Sequence, residues 1–80
     1  MLAPLSMVPE GSLVKVREVR AGVGLARRLA ERGILHGATL RVVKSGPGPV
    51  IVELLGPLGS PGPRLILGLG MAFKILVEVR

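Results

Sequence analysis

The sequence contains no cysteine, which excludes disulfides and thiolate metal sites and leaves the redox compartment open. Asp, Asn, Gln, Trp and Tyr are missing too, and Phe73 is the only aromatic residue. A sheet that stacks unpaired bases needs aromatic platforms, and a groove that cradles polyproline needs aromatic walls. One phenyl ring supplies neither. Acidic charge is scarce: five Glu stand against eleven Lys and Arg, for a formal net charge of +6 over 80 residues. Long apolar runs are also lacking. The longest stretch free of charge is the ten positions Leu54–Pro63, broken by three Gly and three Pro. That is far below the ~20 apolar residues of a membrane-spanning helix. No charged segment precedes the first apolar residues, so the N-terminus does not read as a secretory leader, and a cytoplasmic protein is expected.

What is present is hydrophobic residues, 49 % of the chain, set among glycines and prolines. A chain of this length makes a single domain, residues 1–80, and a domain of this size buries only about 60 % of the surface its unfolded chain exposes. One core and no deep cleft are expected. The chain is organised around Gly22–Gly37, GVGLARRLAERGILHG, the one strong helix signal. Leu25 and Leu29 stand one turn apart with Ala26 and Ala30 beside them, which makes a narrow apolar stripe. Arg27, Arg28, Glu31 and Arg32 fill the other positions, Arg27 and Glu31 at the spacing where opposite charges can meet. Gly33 follows as a C′ residue. About ten residues of helix do not persist alone in water, so the leucines must dock on a sheet.

The flanking segments read as short strands. In Ser12–Arg20 Val14 and Val16 alternate with Lys15 and Arg17, and Val19 falls out of parity, which predicts a bulge near Arg17–Val19. Ala38–Lys44, Val50–Leu55 with Glu53 on its wet face, Arg64–Leu67 and Lys74–Arg80 continue the series. The Gly/Pro segments Ser45–Pro49, Gly56–Pro63 and Gly68–Phe73 connect them. Leu2, Leu5 and Val8 are expected to form a lid over one end of the core. Five brief strands and one short helix suit a small closed barrel.

The chemistry-bearing residues are few. Gly22-Val23-Gly24 stands between a strand and a helix, but the third Gly of a dinucleotide-binding turn would fall at Arg27. No Walker-type phosphate loop occurs. His36 is the only histidine, and its companions for a metal would have to come from five scattered Glu. Ser6, Ser12, Ser45 and Ser60 have no neighbouring His to act as base, and no carboxylate adjoins Thr39 and His36. Catalysis is therefore not expected. A surface that works by contact is, with the arginines of the helix and Leu58, flanked by turn residues, as its candidates.

Three segments carry a resemblance to the ferrous iron transport protein A (FeoA) family: GxGLxRRLxExGI-x-x-G across Gly22–Gly37, the Gly/Pro hairpin and strand GPGPVIVEL, and LILGLGMAFKILVEV across Leu65–Val79. The order and spacing of these pieces carry the likeness, which spans about Pro9 to Arg80. The sequence departs from the family in a shorter Ser45–Pro49 loop, a longer Gly56–Pro63 hairpin and His36 where Pro is usual. The resemblance implies a mainly β fold with one short helix, a small five-stranded SH3-like barrel. It implies a non-catalytic regulatory role in ferrous iron uptake, exerted on a GTPase-containing membrane ferrous iron transporter (FeoB-like) and peripheral to the membrane through that partner. Leu25, Arg27, Arg28, Arg32 and Leu58 are the expected partner-binding residues. Binding of ferrous or another divalent transition metal ion stays open, with no ligand residues assigned, as does self-association into a homo-oligomer. The alternative is a small basic barrel that binds RNA or DNA, an activity the missing aromatics argue against.

Overall fold

The alternation of valines with charged residues resolves into strands, in a computed structural model that describes all 80 residues. They are β1 (Leu2–Pro4), β2 (Leu13–Val19), β3 (Thr39–Lys44), β4 (Val50–Leu54), β5 (Arg64–Leu67) and β6 (Ile75–Val79). All six join one antiparallel sheet in the order β1-β6-β2-β3-β4-β5. Helix α1 (Val23–Glu31) links β2 to β3, and α2 (Leu69–Phe73) links β5 to β6. Single 3-10 turns occupy Leu5–Met7 and Pro57–Gly59.

The inner face of the sheet carries Val14, Val16, Leu40, Val42, Val50, Val52, Ile75 and Val77, all without solvent exposure. Each contributes about 1.5–3 kcal/mol of transfer free energy against the conformational entropy of ordering. Leu67 of β5 joins them, and Leu5, Val8, Leu29, Ile34 and Ala72 close the same core from the connections. Ile34 is held there by the end of α1. Gly33, at φ +95°, is the left-handed residue that turns the chain, and the Ile34 N–H donates to the Leu29 carbonyl at 2.8 Å.

The mainly β architecture is as the sequence suggests, with four differences of detail. There are six strands, because the expected lid is divided: Leu2–Pro4 pairs with β6 while Leu5 and Val8 plug the core and Leu2 stays exposed. The Gly68–Phe73 turn contains a second short helix, α2. The sheet does not close on itself, since β1 and β5 are its two ends and no pairing joins them. Glu53 is buried, flanked in register by Arg41 of β3 and Arg64 of β5. The bulge expected near Arg17–Val19 falls between Val16 and Glu18, and a second one lies between Val42 and Lys44.

Candidate functional site

A concavity of about 310 Å³ lies between α1 and the terminal strand β5. Helical geometry decides which α1 residues reach it. Leu25 and Leu29 repeat at four residues, and Arg28 and Arg32 repeat beside them on the same flank. All four line the groove. From the facing strand come Leu65, Ile66 and Leu67, and Met71 of α2 closes one end. Leu29 and Leu67 are buried floor, whereas Ile66 is 71 % exposed at the margin. Because β5 ends the sheet, its outer backbone edge borders this groove.

Electrostatically the groove is apolar with a positive rim. No acidic residue lines it, and neither Arg28 nor Arg32 has a carboxylate within 4.0 Å. Arg27 points elsewhere, standing about 200° around the helix from Leu25. It is absent from the lining and forms no ion pair with Glu31 despite the favourable spacing. Of the three helix arginines expected to bind a partner, two thus lie in the groove and one outside it.

Leu58 lies outside it as well, in the β4–β5 connection, and its geometry is unusual. It is fully exposed and adopts φ +58°, a left-handed conformation that costs a residue with a Cβ about 1–2 kcal/mol. Hydrogen bonds from Gly56 to the Ser60 carbonyl (2.8 Å), Gly59 to Gly56 (3.1 Å) and Ser60 to Pro57 (3.2 Å) hold the loop in that shape. The result is an apolar side chain presented outward on a braced turn.

The remaining candidate chemistry stays dispersed. His36 is exposed, and no group of three or more His, Cys, Asp or Glu side chains comes together. The residues present therefore do not fit a metal centre. No helix is long and apolar enough to cross a membrane. The groove residues that sequence reasoning missed, Leu65, Ile66, Leu67 and Met71, lie some forty positions from the helix they face. Only the strand order brings them to it.

Comparison with known proteins agrees with this architecture. The model of the FeoA domain matches residues 3–79. A Methanocaldococcus jannaschii protein named for Fe(2+) transport, transport protein A, is 37 % identical over 75 residues, covering 94 % of this chain and 84 % of that one. The crystal structure of an iron uptake regulatory protein, FeoA, superposes with a TM-score of 0.84 at 30 % identity, all of both chains being covered. The Stenotrophomonas maltophilia FeoA, solved with zinc and described as an SH3-domain protein and a candidate ferrous iron transport activating factor, gives a TM-score of 0.74 at 30 % identity over 98 % of this chain and 89 % of that one. With sequence and fold in agreement, this chain belongs to the FeoA domain family.

Proposed function

We propose that this protein is a non-catalytic accessory subunit of ferrous iron uptake, acting in the cytoplasm by docking on the GTPase-containing portion of a membrane iron transporter. Membership of the FeoA family and the names of its relatives support the process. The observation that carries the mode of action is the groove between α1 and β5: apolar, rimmed by unpaired Arg28 and Arg32, beside a free strand edge. Such a surface matches the anatomy of protein interfaces, an apolar centre with arginine at its edge. It suits an apolar segment bearing carboxylates. Docking there shifts the transporter between conformations only so far as the contacts differ between them. Iron on this reading is the transporter's cargo, held by none of this chain's residues.

The experiment is a binding titration of the purified protein against the transporter's cytoplasmic domain. Arg28→Glu combined with Arg32→Glu should weaken binding by about a hundredfold, as expected when a desolvated charge contact turns repulsive. Arg27→Glu, off the groove, should leave binding intact, and Leu58→Ala tests the braced loop separately. Equal losses for Arg27→Glu and the groove pair, or no binding by the wild type, would remove this proposal.

A further inference from the structure

Well away from the groove, with β3 and β4 between them, a second concavity of about 300 Å³ opens on the outer face where β2 meets β6. Its character is opposite. Lys15, Arg17, Glu78 and Arg80 line it, with Val79 the single apolar contributor. The strands place these groups together: Lys15 stands directly across from Glu78, and the Arg80 N–H donates to the Leu13 carbonyl at 2.9 Å, which fixes the chain just past β6 against β2. Arg17, two residues on from Lys15, shares its face of the strand and lies beside the bulge between Val16 and Glu18.

We propose that Lys15, Arg17 and Arg80 form a binding site for a phosphate group. The pairing pattern supports it. Glu78 is the one acidic side chain in the lining and both its oxygens are engaged: the amino terminus of Met1 donates to Oε2 at 3.3 Å, and Arg17 Nε donates to Oε1 at 3.1 Å. Lys15 and Arg80 have no carboxylate within 4.0 Å, and Arg17 uses only Nε, which leaves its two terminal nitrogens free. Arg17 is thereby anchored by one edge of its guanidinium with the other edge available, the arrangement in which arginine receives an oxyanion through paired N–H donors. Lys15, Arg17, Arg80 and the amino terminus stand against the Glu78 side chain and the α-carboxylate of Arg80, so the concavity keeps a net positive charge. Its volume, at the low end for small-ligand sites, admits a phosphate or pyrophosphate group. No ring is available there to stack a base, so phosphate oxygens rather than a nucleobase are what these donors can recognise. The phosphate can belong to a soluble molecule or to a phospholipid headgroup, and two probes separate these sources.

The soluble source is tested by following backbone amide resonances of the intact protein during titration with inorganic pyrophosphate. The headgroup source is tested by co-sedimentation with phosphatidylglycerol vesicles against phosphatidylcholine vesicles. Saturable shifts confined to residues 14–17 and 78–80, or sedimentation with the anionic vesicles alone, should weaken about tenfold or more in Lys15→Ala combined with Arg80→Ala. Arg28→Ala combined with Arg32→Ala removes the same charge at the groove and should change either readout little. Both variant pairs lie on exposed or half-exposed surface, and matching circular dichroism spectra verify their folds. Either probe giving this pattern supports the site and identifies the source. Absence of saturable binding with both, or equal loss in the two double variants, would overturn it as mere attraction to net positive charge.

Discussion

Gly62 shows how tightly a single position can be set. A Cβ there would overlap the backbone carbonyl of Leu54, so the chain entering β5 passes against β4 with no room for a side chain. The overlap is with backbone rather than the end of a flexible side chain, so relief requires strand movement. Gly62→Ala should therefore lose about 1–3 kcal/mol, read as a lower urea midpoint at unchanged slope. Gly24, inside α1, is the counterpart: nothing lies within 4 Å of its would-be Cβ and its φ is ordinary. Gly24→Ala should raise stability by roughly 0.5–1 kcal/mol, because alanine loses less backbone freedom on entering a helix. If Gly62→Ala left the midpoint unchanged or raised it as Gly24→Ala does, the close approach at Gly62 would not be what selects glycine there. Leu58 is set in another sense, its left-handed φ being kept by hydrogen bonds around it rather than by its own preference.

At the scale of elements, the salt links around Glu78 tie three segments: the amino terminus, β2 through Arg17, and β6. The amino terminus first, and Arg17 second, hold its carboxyl below the ordinary value of 4.5. A carboxyl whose folded value is depressed contributes stability above its unfolded value, and that contribution fades as pH falls through the folded one. Glu78→Gln should thus melt below the wild type at neutral pH, with the gap closing as pH is lowered beneath 4.5. Added salt should shrink the gap at neutral pH, since the group is exposed and screened. A gap independent of pH would mean the carboxylate's charge is not what ties these segments. The elements legible in the sequence are α1, through Leu25 and Leu29, and the strands β2 to β6, through alternating or continuous apolar residues bounded by Gly/Pro turns. The sequence does not disclose β1, three residues ending in proline with no room for alternation, nor α2, whose glycines read as a turn. The burial of Glu53 is not legible in the sequence, because its strand parity is outward and the arginines that flank it stand on other strands. The groove was half legible, Leu25, Arg28 and Arg32 being visible on one helix while the facing wall depended on strand order.

For the molecule as a whole, the decisive quantity is how little core there is. Fourteen buried apolar residues serve 80, no disulfide reinforces them, and total stability at this size is roughly 4–12 kcal/mol. Ile34 tests how far that core behaves as one body, since it comes from the α1–β3 connection and has no exposed surface. Ile34→Ala removes three carbons that no neighbour can replace and should cost about 2–5 kcal/mol, a large share of the total. Through the entropy of unfolding, each of those kcal/mol lowers the melting temperature by about 4–8 °C in a domain this small. Ile66 is the matched control, the same residue type on β5 but 71 % exposed at the groove margin. Ile66→Ala should shift stability by no more than about 0.5 kcal/mol, yet weaken docking if the groove is the partner's seat. The pair thus separates holding the fold from presenting a surface. Should Ile66→Ala unfold the protein as readily as Ile34→Ala, the exposed margin of the groove would be part of the core, and no apolar face would remain free to dock.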